Sequence, residues 1–374
     1  MTRTRRITAR FCRHLGSALL LAVAAGAQTA DQLDHVEGIR PLDYVAYRAP
    51  APPTIDGQMN EEAWAKAPWT DLFVDIEGAV RPTPRFRTRA KMLWDERYFY
   101  VAAELEEPQV WATLTQRDTV IYLDNDFEVF IDPDVDTHQY YEFEMNALST
   151  EWDLFLVKPY RNGGPAMTAW QIVGLRTATA VQGSLNDPAD VDQGWTAELA
   201  FPWAVLRECA GGKAAPPKDG DQWRVNFSRV EWQIRVEDGR YLKVPGTRED
   251  NWVWSPQGLV NMHMPEQWGI VQFSTIEVGA GTAAYVPDPG DEARRALRRV
   301  YYRQVLFHEA QGRYTASLDS LWIPDPGLTG YTWPPRIQVT DHAYEASIAE
   351  LIDHDADGKL NHWMICQDSR VWRD

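Results

Sequence analysis

Tyr141-Glu142-Phe143-Glu144-Met145-Asn146 alternates apolar and polar side chains without a break. Side chains on a strand point to opposite faces with a period of two. Tyr141, Phe143 and Met145 therefore share one face, and Glu142, Glu144 and Asn146 share the other. Just upstream, Phe127-Glu128-Val129-Phe130-Ile131 reads as a strand that stops at Asp132-Pro133, because proline cannot donate to a ladder. Just downstream, residues 152–157 continue the pattern.

The same texture extends in both directions. Residues 86–92 alternate and end at Trp94-Asp95-Glu96, and residues 98–105 follow as their hairpin partner. Residues 195–201, 223–230 and 268–273 are further short runs separated by turn residues. Many short strands without helical segments between them predict a mainly β protein, an antiparallel β-sandwich over residues 49–275. Residues 28–48 show no clear periodicity and read as a linker leading to Pro50-Ala51-Pro52-Pro53. The pattern changes after residue 285. Ala293, Ala296, Leu297, Val300, Tyr301 and Gln304 recur at helical spacing, with Arg294, Arg295, Arg298 and Arg299 on the other side. This predicts a helix over about residues 291–310. Strand-like runs at 336–348 and 359–372 complete a small α+β appendage over residues 288–374.

Composition limits the function classes. With 44% hydrophobic and 24% charged residues, the 374-residue chain has material for a sizeable core. Its 17 Trp are an excess. A packed core accounts for most of them, and sugar-stacking surfaces are the alternative use of so many flat rings. Residues 1–27 carry Arg3, Arg5, Arg6, Arg10 and Arg13 and no acid, then an apolar run to Gly26 and a small-residue site at Ala25-Gly26-Ala27. That order is the signature of a signal peptide cleaved after Ala27, and it predicts a secreted or periplasmic protein. No later stretch is long and apolar enough to span a bilayer. Without the five leader arginines, 32 basic side chains face 54 acidic ones, a net charge of −22. Such a chain repels nucleic acid and anionic membranes, and it tolerates neutral glycans and cations. Cys209 and Cys366 remain after cleavage as a candidate disulfide.

Five phrases stand in one order along the chain: Pro53-Thr54-Ile55-Asp56-Gly57 with Glu61-Glu62-Ala63-Trp64; residues 93–101 around Leu93-Trp94-Asp95; Asn125-Asp126-Phe127-Glu128-Val129-Phe130-Ile131-Asp132; residues 194–203 around Gly194-Trp195; and Pro265-Glu266-Gln267-Trp268-Gly269. In this order they resemble carbohydrate-binding module family 9. The resemblance implies a β-sandwich that holds the reducing end of a glycan between two facing Trp, with structural Ca²⁺. It places those two Trp at Tyr122 and near Met262, and a sugar-contacting Arg at Glu144. It also makes Asp56, Glu61 and Glu62 the candidate Ca²⁺ ligands.

The residues themselves suggest a replacement clamp. Tyr122 can stack on a sugar ring, and the loop of residues 252–264 offers Trp254, Asn261, Met262 and His263. Core positions for Trp252 and Trp254, and a structural role for His263, are the competing readings. Glu142, Glu144 and Asn146 form either a solvated outer face or the polar floor of a pocket. Arg229 and Glu231 are positioned to meet that face, so that its acids are paired. Planar carboxylate, amide and guanidinium groups match vicinal sugar hydroxyls. Asp353-His354-Asp355-Ala356-Asp357-Gly358 resembles the start of an EF-hand loop, but Met364 stands where the bidentate Glu belongs, so it reads as a turn.

The expectation is a non-catalytic protein that binds an oligo- or polysaccharide, accessory to polysaccharide breakdown, with no catalytic residues of its own. The alternatives are a haem-b electron-transfer module using Met262, His263 and Met264, a structural protein with a protein partner on the C-terminal domain, and an accessory subunit of a glycoside hydrolase.

Overall fold

The structure, a computed structural model, describes residues 29–354 and 358–374. The leader at residues 1–27, and residues 355–357 of the Asp/Gly-rich turn, lie outside the described residues.

The alternating runs form one continuous sheet. Its strands lie in the order Ala166–Met167, Glu151–Leu156, Tyr140–Asn146, Asp126–Asp132, Gln222–Glu231, Gly269–Glu277, Asp43–Arg48, Thr88–Trp94, Tyr98–Glu106, Gly194–Pro202 and Arg176–Gln182. The sheet folds over a single core. Met92, Val101 and Leu199 of one half meet Phe127, Phe143 and Phe227 of the other. The result is the β-sandwich expected, with most neighbouring strands antiparallel. The exception is Asp43–Arg48, which runs parallel to both of its neighbours.

That strand corrects the linker expected at residues 28–48. Ala30–Gly38 is a helix started by a capping box, in which Thr29 and Gln32 satisfy each other's backbone N–H groups. Leu33 and Val36 are fully buried on it. Asp43–Arg48 then joins the two halves of the sheet and buries Tyr44 and Ala46 at alternate positions. Both elements are too short for periodicity to reveal, and their apolar faces are only two residues wide.

The C-terminal elements match expectation: a helix over Gly290–Gln311 and an antiparallel sheet of Arg336–Val339, Tyr344–Ala349, His362–Cys366 and Val371–Arg373. Their core does not close on itself. Leu297, Tyr301 and Trp363 pack with Leu33 and Val36 of the first helix and with Met264. Polar contacts pin the seam. Thr137 Oγ1 donates to the Ser369 carbonyl at 3.0 Å, and an Arg298 Nη donates to the same carbonyl at 2.8 Å.

The Trp excess goes mainly to packing: Trp64, Trp195, Trp203, Trp223, Trp254 and Trp268 are among the largest fully buried side chains. Cys209 and Cys366 are free thiols, which overturns the candidate disulfide. Cys209 lies in the sandwich core and Cys366 in the C-terminal sheet.

Candidate functional site

The sandwich core takes Tyr141, Phe143 and Met145, so Glu142 and Glu144 face outward beneath two loops. Register defines what surrounds them. Glu128 lies directly opposite Glu144, and Phe130 opposite Glu142. On the other side of Tyr140–Asn146, Trp152 is opposite Glu144 and Leu154 opposite Glu142. Two 3₁₀ turns close over this patch, Ile121–Leu123 carrying Tyr122 and Tyr160–Asn162 carrying Tyr160. The third border is the loop with His263.

Tyr122 is half-buried, and its backbone N–H donates to Glu144 Oε2 at 3.1 Å. Trp232 Nε1 donates to the Tyr122 carbonyl at 2.9 Å and fixes the turn. Burial, then the charges of Glu144, Glu249, Glu128 and Glu142, raise the Tyr122 hydroxyl pKa. Tyr160 is 49% exposed and meets the His263 ring edge-on, with centroids 4.4 Å apart. Burial and the charges of Glu142 and Glu144 raise its hydroxyl pKa too. The two tyrosines thus border the same carboxylates.

The floor is acidic and nearly dry. Glu128 and Glu142 are each 6% exposed and Glu144 1%. Like charges about 5 Å apart repel by about 3 kcal/mol at an effective dielectric of about 20. Burial pushes the Glu128 carboxyl up to about 7, against a hydrogen bond from Ser228. Burial, then neighbouring negative charge, holds Glu142 and Glu144 well above the usual carboxylate range. Glu142 Oε1 lies 4.0 Å from His263 Nε2, and its Oε2 has no hydrogen-bond partner. His263 does not offset this charge. Burial, then Arg161, lowers its pKa to about 3, and its Nδ1 shares a 2.9 Å hydrogen bond with Tyr140 Oη.

Several expected site residues lie elsewhere. Arg229 is 1% exposed and points away from the acidic face. Ser228 is the residue paired with Glu128, so its neighbour takes the opposite side of the sheet. There its Nη2 bonds Glu107 and Glu231, each at 2.8 Å, and its guanidinium carbon lies 5.7 Å and 5.2 Å from the Phe86 and Trp252 ring centroids. Glu231 is occupied in that cluster and does not reach the floor. Trp254 is fully buried, with Tyr44 and Phe227 against it, and it belongs to the core rather than to a pocket wall. Asn146 shares the face of Glu144, but its amide is spent: Nδ2 donates to Leu114 O and Asp124 Oδ2, and Oδ1 accepts from Leu148 and Thr150. Asn261 Oδ1 accepts from the His263 N–H and shapes its own loop. Met262 packs beside Phe130, Tyr140 and Trp268. Met264 is fully buried in the C-terminal core, so Met262-His263-Met264 presents no axial pair to a haem.

The expected Ca²⁺ ligands do not converge. Glu62 pairs with Lys66, Glu61 Oε1 accepts from the Thr54 N–H, and Asp56 Oδ1 accepts from the Gln58 N–H. Among the described residues, carboxylates gather within 4.8 Å of one another in two other places: Asp126 with Glu128 and Glu144, and Asp132 with Asp134 and Asp136. The second group is largely satisfied by its own turn. Asp132 accepts from the Val135 and Thr137 N–H groups, and Asp136 from His138 N–H and Arg370.

The sequence reading missed Glu128, Tyr160 and Trp152. Glu128 was readable in principle, since it belongs to the quoted acidic strand and shares the parity of its outward face. Tyr160 follows Lys158-Pro159 in a loop with no periodic signal.

The fold and site together define a β-sandwich of the binding-module type, with a tyrosine-bordered acidic patch on one outer face. Residues 55–274 match the family model "Carbohydrate family 9 binding domain-like", well over half of the chain, and the protein belongs to that family. An 80-residue stretch is 32% identical to endo-1,4-beta-xylanase C of Paenibacillus barcinonensis, covering 21% of this chain and 6% of the xylanase. Among solved structures, a family 9 carbohydrate-binding module from Caldicellulosiruptor kristjanssonii in complex with cellotriose is 16% identical, with a TM-score of 0.41 over 65% of this chain and all of that one. A putative carbohydrate-binding protein from Bacteroides uniformis is 15% identical, with a TM-score of 0.45 over 63% of this chain and all of that one.

Proposed function

We propose that this is a secreted, non-catalytic carbohydrate-binding protein that takes a glycan end between Tyr122 and Tyr160, over the Glu128–Glu142–Glu144 floor. The observation that carries the reading is the convergence of two accessible tyrosines on one group of buried carboxylates. Aromatic faces stack on the apolar face of a pyranose, and carboxyl groups, ionised or protonated, hydrogen-bond its hydroxyls. Family membership supports carbohydrate as the ligand class. The basic and then apolar start of the chain supports export. Among the described residues, no helix is long and apolar enough to cross a membrane. The short similarity to a xylanase accords with a role beside polysaccharide breakdown.

The carboxylates also argue for binding over hydrolysis. A glycosidase holds its two acids on either side of the scissile bond, about 5–9 Å apart. Glu128 and Glu144 instead sit side by side on adjacent strands of one sheet face, not on opposite sides of a cleft. Calorimetric titration of the exported protein with soluble plant, algal and bacterial oligosaccharides tests the proposal. Saturable binding that weakens in Y122A and Y160A is expected. Silence across the panel, or full affinity in both variants, removes it.

A further inference from the structure

Beneath the two tyrosines, the structure assigns a binding site for a hard divalent cation, of the Ca²⁺ class, to Asp126, Glu128 and Glu144. Each residue places one carboxylate oxygen so that all three lie within 4.8 Å of one another. That is the span of oxygens arranged around one ion at the usual Ca–O distance of about 2.4 Å. The three come from adjacent strands, Asp126–Asp132 and Tyr140–Asn146, whose ladder fixes their spacing.

Each carboxylate is tethered by one protein donor and keeps capacity for a second partner. The Val230 N–H donates to Asp126 Oδ1 at 3.0 Å, the Tyr122 N–H donates to Glu144 Oε2 at 3.1 Å, and Ser228 bonds Glu128. Asp126 is 0% exposed, yet its Oδ2 has no hydrogen-bond partner. Glu142, on the same face and 6% exposed, has a second unpartnered oxygen, Oε2. Two orphaned carboxylate oxygens beside three clustered ones call for positive charge. Among the described residues, no side chain pairs a cation with these oxygens. Arg229 is turned to Glu107 and Glu231, and His263 is held neutral. Lys243 is close enough for Asp126 to feel, but its ammonium lies over the Trp232 ring, 3.4 Å from the centroid.

The donor set is all oxygen, which selects hard cations over Zn²⁺ or Cu²⁺. Ca²⁺ accepts an irregular set of mixed carboxylates more readily than Mg²⁺, which demands an octahedron. The site stands whether or not the cleft above it takes a glycan. It is also distinct from Asp132, Asp134 and Asp136, whose oxygens are mostly engaged by their own turn.

The test is titration of chelator-stripped full-length protein with CaCl₂ by calorimetry, alongside Tb³⁺ luminescence excited through tryptophan. Trp152 and Trp232 flank the site as sensitisers. The expected result is Ca²⁺ binding, Tb³⁺ emission that Ca²⁺ displaces, and a rise in melting temperature with Ca²⁺. In D126N and E144Q, affinity should fall by at least about tenfold, because the site loses ligand charge. D134N, in the other acidic group, should keep both the heat and the emission. Absence of Ca²⁺ binding by the wild-type protein overturns the assignment. So does binding that survives in E144Q, or that is lost in D134N. The melting measurement needs no variant, so a flat wild-type response to Ca²⁺ decides against the site even if the substituted proteins fail to fold.

Discussion

Arg161 and Glu266 form a buried ion pair, in which one guanidinium nitrogen lies 2.8 Å from one carboxylate oxygen and 2.9 Å from the other. The pair ties the turn that carries Tyr160 to the segment that follows His263. Burial opposes the charge on Glu266, but Arg161, Arg298 and hydrogen bonds from Arg161 and Tyr302 outweigh it and hold its pKa at about 2, from an ordinary 4.5. A carboxyl whose folded pKa is depressed stabilises the fold above its unfolded pKa, and that stabilisation is lost as the pH falls through the folded value. Ionised Glu266 and its partners Arg161, Arg298 and Tyr302 together therefore contribute about 3 kcal/mol at neutral pH, by the linkage of roughly 1.4 kcal/mol per pKa unit, and lose it between about pH 4.5 and 2. In E266Q, denaturant unfolding should show lower stability at pH 7 and a flatter pH dependence across that acid window. An unchanged acid slope would rule out this role. Glycan affinity should fall as well, because Tyr160 loses its anchor.

Tyr122 and Tyr160 carry the stacking predicted for the cleft. Tyr160 is 49% exposed and Tyr122 half-buried, so truncating either costs little core. Y160A should melt within a few degrees of wild type, and its glycan affinity should drop by roughly 1 kcal/mol, about fivefold or more. Y160F keeps the ring and should keep most of the affinity. Equal losses in Y160A and Y160F would place the hydroxyl, rather than the ring face, on the ligand.

The strands were legible in the sequence because a period of two survives in runs as short as that of residues 141–146. What alternation does not fix is register between strands. Arg229 and Ser228 are neighbours, and only the pairing of Ser228 with Glu128 decides which of them meets the acidic face. Parity alone puts Glu128 on an outward face, but its place opposite Glu144 is a matter of register. The helix at Ala30–Gly38 left one readable trace, the capping box of Thr29 and Gln32. Of the expected site, Tyr122, Glu142, Glu144 and His263 do come together. Trp254 and Arg229 do not, since residue type alone cannot separate a buried Trp or Arg from one that lines a cleft.

Arg229 holds two buried acids, and removing it should be costly. Its Nη2 is shared by Glu107 and Glu231, and Asn125 Nδ2 donates to both as well. R229A removes the cation that Glu107 and Glu231 share and leaves Glu231 only the more distant Arg85, at 3.8 Å, a change that costs about 3–5 kcal/mol when a buried pair is broken from one side. The damage should reach the site. Asn125 Oδ1 accepts from the Trp232 N–H, and Trp232 Nε1 holds the Tyr122 carbonyl. Urea denaturation should show the stability loss, and glycan titration of the folded fraction should show weaker binding. A loss of binding without a loss of stability would instead put Arg229 on the ligand.

Trp254 and Gly269 should behave as one packing unit. A Cβ on Gly269 would lie 2.4 Å from the Trp254 ring, so the indole occupies the space that the missing side chain leaves free. W254A removes a fully buried ring and should cost about 3–5 kcal/mol. G269A should also destabilise, because the methyl group meets a ring that Tyr44 and Phe227 hold in place. In W254A the cavity can receive that methyl group, so the double variant should be more stable than the sum of the two single effects implies. Such coupling is what a double-mutant cycle isolates for residues in contact. Additive effects would mean that the ring and the glycine do not constrain each other. Glycan affinity measured well below the melting temperature should stay near wild type in W254A. A folded W254A that cannot bind glycan would return this residue to the cleft, against its burial in the core.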